Sequence, residues 1–188
     1  LLQRYDRFFF KSEQDAERYR YFGVSEDRYR VVGDMKFDAP LWPKDQARIA
    51  DVRSDLKVAA DDFLVVAGST RPGEESILLG VFRELCREDP RYRLVIAPRH
   101  VERLDEVRQA CRDAGVEHAV YGNGMAAPVV IIDRMGLLMD LYMAADLAFV
   151  GGTLVDIGGH NILEPVWAGT PVLYGPSLAN VADAADYV

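Results

Sequence analysis

The run Phe63-Leu64-Val65-Val66-Ala67, closed by Gly68, decides the fold. Five consecutive apolar residues without polar alternation suit a strand buried on both faces, the situation found in parallel sheets covered by helices. Outward from this run the same rhythm continues. Toward the C-terminus the pattern predicts strands over 93–97, 129–132, 147–150 and 171–174. Between and around them it predicts helices over 74–87, 101–114, 137–145 and 161–168, with Gly115 ending the second of these. On the N-terminal side a helix is expected over 43–58, where Pro43 in the first turn gives up an N–H that has no intrahelical partner anyway. Strand and helix alternating over short loops imply a doubly wound α/β architecture, a parallel sheet with helices on both faces. Further upstream, a strand over 7–11 leads to a helix capped by Ser12, with Asp15 at the third helical position and Gly23 as the stop. After a short apolar run over 29–32, Gly33-Asp34-Met35-Lys36-Phe37-Asp38-Ala39-Pro40 reads as a linker or crossing strand. The expected organisation is therefore the end of one domain plus its linker in 1–38, and a second domain in 39–188.

Composition narrows the function. The 188 residues carry 22 Lys plus Arg against 30 Asp plus Glu, a formal charge of −8, with the basic residues scattered. Such a chain has no general attraction for DNA or RNA. Cys86 and Cys111 fall inside helical patterns without CxxC spacing, as reduced, buried thiols in a cytosolic setting would. The longest apolar stretch is interrupted by Asp140 and Asp146, so no bilayer span is expected. The chain opens at Leu1-Leu2-Gln3-Arg4-Tyr5 without Met or a signal peptide, and reads as cut from something longer, with its C-terminal end truncated as well.

In an open parallel sheet ligands bind outside the carboxyl ends of the strands. Those positions hold Gly68-Ser69-Thr70-Arg71, Pro98-Arg99-His100, Asp133-Arg134-Met135-Gly136, Gly151-Gly152-Thr153 and Gly175-Pro176. Small residues let a ligand approach the backbone, and Arg71, Arg99 and His100 bring cationic donors into an acidic protein, so an anion or nucleotide cradle is expected there. The densest cluster runs from Gly151 through Gly158-Gly159-His160-Asn161-Ile162-Leu163-Glu164-Pro165. A strand end, two glycine pairs and a helix start would point free N–H groups at a phosphate, and Glu164 could accept from ribose hydroxyls. The same residues read equally as an N-x-x-E capping box with a tight glycine turn, His160 being a turn residue, and the two readings are compatible. Gly122-Asn123-Gly124-Met125-Ala126-Ala127 matches a dinucleotide fingerprint, but Pro128 and a strand follow it instead of a helix, and NAD binding falls with it. His118, between Glu117 and Ala119, sits near a loop, exposed or partly packed. Three scattered histidines give no metal-ligand spacing, and no G-x-S-x-G elbow anchors a hydrolase triad. Glu74 and Glu75 suit a solvated helix N-terminus.

At these strand ends the chain resembles a known family. Ala67-Gly68-Ser69-Thr70 with Gly73-Glu74-Glu75, then Pro98-Arg99-His100, then Phe149-Val150-Gly151-Gly152-Thr153-Leu154-Val155 leading into Gly158 to Pro165, are similar to the bacterial Kdo transferases. Val32-Gly33-Asp34-Met35-Lys36-Phe37-Asp38 is similar to that family's interdomain segment. These enzymes move 3-deoxy-D-manno-octulosonic acid (Kdo) from CMP-Kdo to a lipid A precursor. The resemblance implies a GT-B glycosyltransferase, two Rossmann-like domains facing a cleft, with 39–188 the C-terminal donor half and 1–38 the end of the acceptor half. It places donor contacts on Pro98 and Arg99, on Met135, Gly136 and Leu137, and on Asn161, Ile162, Leu163 and Glu164. Further contacts are possible at Ser69, Thr70, His100, Gly152, Thr153, Gly159 and His160. Leu137 stands where the family has an acidic residue, so only a backbone contact carries over, and Arg71-Pro72 replaces the usual His-Glu.

The resemblance also implies a reaction without cofactor or metal. Arg99 and the backbone of Gly159 to Asn161 would neutralise the phosphate, Glu164 would hold the ribose, and cytosine would lie near Met135 and Gly136. The carboxylate base, the lipid A acceptor surface and the membrane anchor would belong to the N-terminal half, at the cytoplasmic face of the inner membrane. Two other readings stay open at this point. One is a GT-B transferase or epimerase using a UDP-sugar, separable by comparing CMP, UMP and UDP in one binding assay. The other is a non-catalytic nucleotide-binding module, in which Arg99→Ala or Glu164→Ala would leave transfer unimpaired.

Overall fold

The computed structural model describes residues 2–38 and 42–188, so the linker expected at Ala39-Pro40 lies outside the described residues. The chain divides into two compact units, Leu1–Pro40 and Leu41–Val188.

In the smaller unit β1 (Phe8–Phe10) and β2 (Tyr29–Val31) pair in parallel, with α1 (Glu13–Tyr21) between them in sequence. Ser12 Oγ accepts the Asp15 N–H at 3.2 Å, satisfying a donor that the first turn leaves without a partner. Gly23, at φ +85°, ends the helix in a Schellman turn: its N–H bonds the Arg20 carbonyl while the Val24 N–H reaches back to Tyr19. Phe10, Ala16 and Val24 form the buried centre, and Phe9 points the opposite way at 66% exposure, as strand alternation requires. Met35–Asp38 forms a 3-10 turn where the sequence suggested a linker or crossing strand.

The larger unit opens with α2 (Gln46–Asp55). This helix starts later than the pattern predicts, because the Asp45 carboxylate caps it by accepting from the Ala47 and Arg48 N–H groups, leaving Pro43 outside. It also ends earlier: Lys57 adopts φ +59°, and the Val58 N–H turns back to the Arg53 carbonyl. Then follow β3 (Phe63–Thr70), α3 (Glu74–Glu88), β4 (Tyr92–Pro98), α4 (Leu104–Asp113), β5 (His118–Val120), β6 (Val129–Ile131), α5 (Leu138–Ala144), β7 (Leu147–Val150), α6 (Leu163–Trp167), β8 (Val172–Leu173) and α7 (Ala182–Ala185). The six strands form one parallel sheet in the order β5-β6-β4-β3-β7-β8.

Ala67, Leu94, Ile96, Val129, Ile131 and Phe149 present one face of this sheet to Leu79 and Phe82 of α3 and to Val107 and Cys111 of α4. The alternate residues Leu64, Val66, Val95 and Val130 are equally buried and belong to the other face, where α5 packs on β3 and α2 on α5. Cys111 is a free thiol in that first layer, and burial raises its pKa to about 11. Strand β5 holds His118 at the edge of the sheet, half-buried as the partly packed reading expected.

From β3 the chain moves through α3 to β4 on one side, whereas from β7 it moves to β8 on the other. The carboxyl ends of β3 and β7 therefore flank the topological switch point, the place where open α/β sheets form a ligand crevice. Tyr142 of α5 lies beneath this point. Its hydroxyl is fully buried, abuts Gly68 and lacks a partner among the described residues. Replacing Tyr142 with Phe removes an unsatisfied polar atom, and a gain of about 1 kcal/mol is expected, read as a higher denaturant midpoint with an unchanged slope.

Candidate functional site

Strand β3 does not stop at Gly68. It continues through a bulge in which Ser69 adopts φ +57°, the pairing with β4 shifting between Gly68 and Thr70. A bulge re-aims one side chain, and here it turns Ser69 into an open cleft of about 600 Å³ at the switch point. Arg99 after β4, Met135 and Gly136 before α5, and His160, Asn161 and Glu164 before and in α6 line the same cleft. A narrower recess of about 50 Å³ adjoins it, walled by Pro98, Arg99, Met135, Gly136 and Leu137. Residues expected from the ends of four strands, β3, β4, β6 and β7, thus converge on one opening.

Four neighbours were not anticipated from sequence: Trp42, Leu138, Met139 and Asp140. Trp42 donates its backbone N–H to the Trp167 carbonyl at 2.9 Å, and Asp140 is bound by the Arg48 guanidinium. Trp42 precedes the first strand of this unit, outside the strand-end rule. The two α5 methylene-rich side chains are ordinary helix residues in the sequence, and nothing in their spacing marks them.

Other expected residues are elsewhere. Gly152 and Thr153 do not present free N–H groups to a ligand. Their amides, with those of Leu154 and Arg71, are taken by the buried carboxylate of Glu74 at 2.8, 3.0, 3.0 and 2.8 Å respectively. The glycine loop does form an anion nest, and the anion is the protein's own. Gly159 and His160 likewise spend their N–H groups on the Gly152 and Gly151 carbonyls, at 2.7 and 3.2 Å. The expected phosphate contact through these backbone donors is corrected accordingly. Glu74 and Glu75 are not solvated either, at 0% and 3% exposure. Glu75 accepts from Thr70 Oγ1 at 2.8 Å and from Arg103 Nη1 and Nη2 at 2.9 and 3.2 Å, which removes the Thr70 hydroxyl from the ligand side. Ile162 and Leu163 are buried, so their side chains belong to the core.

Helix α6 is five residues long and begins at Leu163, two residues after the expected start. Asn161 Oδ1 accepts the Leu163 N–H at 3.2 Å, and Asn161 Nδ2 donates to Glu164 Oε1 at 3.3 Å. This is a side-chain pair, not the reciprocal backbone bond of a capping box. Burial raises the Glu164 pKa, opposed by the Asn161 hydrogen bond and by Arg99. The acid at the cleft is thus oriented by an amide and faces a guanidinium.

Arg71 stands beside the cleft, bonded to its His160 wall. Its Nε donates to His160 Nε2 and its Nη1 lies 3.0 Å from His100 Nε2, while the Nε bond is also 3.0 Å long. Burial, followed by the nearby Arg71 and Arg99, lowers the His160 pKa, which keeps that imidazole neutral and able to accept. Among the described residues no three His, Cys, Asp or Glu side chains meet as metal ligands would, and no helix is long and apolar enough to cross a membrane.

Residues 1–39 match the family model described as 3-deoxy-D-manno-octulosonic-acid transferase (kdotransferase). The chain is 32% identical to a 3-deoxy-D-manno-octulosonic acid transferase of Aquifex aeolicus, over 100% of this chain and 49% of that protein. It is 36% identical to a bifunctional glycosyltransferase/methyltransferase of Fusobacterium nucleatum, over 98% of this chain and 29% of that protein. The chain therefore spans less than half the length of these curated relatives. Among solved structures it is similar to the C-terminal CMP-Kdo binding domain of WaaA from Acinetobacter baumannii, at TM-score 0.68 and 29% identity, covering 76% of this chain and 77% of that one. An alignment of the whole chain to about half of a transferase at 32% identity, a family model over residues 1–39 and the likeness to a CMP-Kdo binding domain lead to one assignment: the chain belongs to the 3-deoxy-D-manno-octulosonic acid transferase family.

Proposed function

We propose that the larger unit is the donor-binding half of a Kdo transferase and holds CMP-Kdo in the cleft at the switch point. The observation that carries this reading is the meeting of Arg99, Met135-Gly136 and the Asn161-Glu164 pair around one opening, with no carboxylate paired to the Arg99 guanidinium among the described residues. Arg99 neutralises the phosphate of the CMP leaving group, and its charge counts for more in a partly enclosed site than in water. Glu164, oriented by Asn161, accepts from the ribose hydroxyls. The recess beside Pro98, Met135, Gly136 and Leu137 takes the cytosine edge. Leu137 offers that base only its backbone and apolar surface.

Transfer to a lipid A precursor needs a carboxylate base and an acceptor surface. Both belong to the N-terminal half, whose end is represented by the smaller unit, and the whole enzyme works at the cytoplasmic face of the inner membrane. Donor binding in this cleft uses side chains of the chain itself and calls on no metal or cofactor.

Arg99→Ala and Glu164→Ala test the reading. Each is expected to weaken CMP binding roughly tenfold or more, the loss of a charge-assisted contact, while the circular dichroism spectrum is retained. UMP and UDP are expected to bind more weakly than CMP to the unaltered chain. A folded Arg99→Ala chain that binds CMP within about twofold of the original overturns the placement.

A further inference from the structure

In the larger unit arginine is commonly paired with acid: Arg48 with Asp140, Arg53 with Asp146, Arg93 with Asp62, Arg103 with Glu75 and Arg134 with Asp133. Arg71 is different. Its Nε and Nη1 meet the Nε2 atoms of His160 and His100, and among the described residues Nη2 has no acceptor and no carboxylate lies within ion-pair distance. An arginine only donates, so both imidazole nitrogens accept. Two imidazole acceptors, neither a carboxylate, orient the guanidinium without forming an ion pair. The carboxylate next along the chain, that of Glu74, is occupied by four backbone N–H groups, including that of Arg71 itself. The result is a positioned, half-buried cation beside the cleft wall formed by His160, in a chain of net charge −8.

We propose that Arg71, held by His100 and His160, forms a second anion subsite beside Arg99 and takes the carboxylate of the transferred sugar while Arg99 takes the phosphate. The proposal rests on the donor reading above. In CMP-Kdo the sugar carboxylate is bonded to the same anomeric carbon as the phosphate oxygen, so the donor offers two adjacent anions; Arg99 lines the cleft, and Arg71 stands behind the His160 wall, bonded to that imidazole at 3.0 Å. Nη2 of Arg71 keeps its two N–H donors for a carboxylate while Nε and Nη1 hold the guanidinium plane in place on His160 and His100, a fixed orientation that a freely rotating ammonium lacks. The subsite makes the cleft selective for nucleotides of acidic sugars, since a neutral sugar leaves the Arg71 charge without a counter-ion.

Calorimetric titration of the chain with CMP, CMP-Kdo and the C1 methyl ester of CMP-Kdo tests this, together with the Arg71→Gln variant. The unaltered chain is expected to bind CMP-Kdo roughly tenfold more tightly than its methyl ester. In Arg71→Gln that advantage is expected to vanish, the loss falling on CMP-Kdo and not on CMP, which also reports that the variant is folded. Arg71→Lys is expected to restore only part of it. An ester that binds the unaltered chain as tightly as the acid, or an Arg71→Gln loss equal for CMP and CMP-Kdo, overturns the carboxylate subsite and leaves the donor site standing. An unaltered chain that binds neither CMP nor CMP-Kdo overturns both.

Discussion

Replacing Glu74 with Ala is expected to destabilise the chain by about 3–5 kcal/mol, the range found when one side of a buried charged network is removed. The side chain is fully buried, and its two oxygens accept from Arg71, Gly152, Thr153 and Leu154. Each buried N–H left without an acceptor costs about 1–3 kcal/mol, partly recovered by water entering the space. The effect is also structural, because this carboxylate ties the start of α3 to the loop after β7 across the switch point. Glu74→Gln is expected to be milder but still costly, since its amide group turns a donor toward other donors. Denaturant unfolding followed by circular dichroism reads both. A loss below about 1 kcal/mol for Glu74→Ala would mean that the nest is satisfied in another way.

Gly151→Ala is expected to do comparable damage by the opposite route. A Cβ at this position would overlap the Ser69 carbonyl oxygen and come within 2.6 Å of the Thr70 Cα, both backbone atoms of the neighbouring strand. Neither can swing aside as a side chain tip can, so β3 and β7 must separate where the Gly151 N–H bonds the Gly68 carbonyl at 2.8 Å. Overpacking of this kind costs on the order of 3 kcal/mol, and a melting temperature lower by roughly 6–12 °C is expected for a domain of this size. The bulge that turns Ser69 into the cleft moves with it, so CMP affinity is expected to fall as well. Gly80→Ala is the control. Gly80 lies inside α3 with nothing within 4 Å of the added Cβ, and the change is expected to stabilise by about 0.5–1 kcal/mol through helix propensity. A Gly151→Ala chain as stable as the original would contradict the packing at the switch point.

How much of this was legible in the sequence depends on the range of the interaction concerned. The run from Phe63 to Ala67 announces a strand buried on both faces because burial of consecutive residues is a local pattern, and Ser12 with Gly23 announces a helix because both caps act within a turn. Strand β5 escaped notice because its three residues alternate only once, with Ala119 buried between half-buried neighbours. The start of α2 was misplaced because Pro43 and Asp45 are both good first-turn signals, and the carboxylate that bonds two amides wins. At the site, the strand-end positions of Arg99, Met135 and Gly136 followed from topology, whereas Asn161 and Glu164 stood out through the glycine-rich cluster before them and the family resemblance. The fate of the glycine loop did not. Its amides are taken by Glu74, a residue 78 positions away from Gly152, and no local pattern distinguishes a loop that awaits a phosphate from one already holding a carboxylate.

That distinction gives the most direct measurement. Backbone amide resonances of the chain, followed while CMP is added, separate the cleft from the glycine loop. The expected result is saturable shifts at Arg99, Gly136, Asn161 and Glu164, with the amides of Gly152, Thr153 and Leu154 keeping the positions set by their bonds to Glu74. Saturable shifts centred on Gly152 to Leu154, with none at Asn161 or Glu164, would contradict the donor site described above.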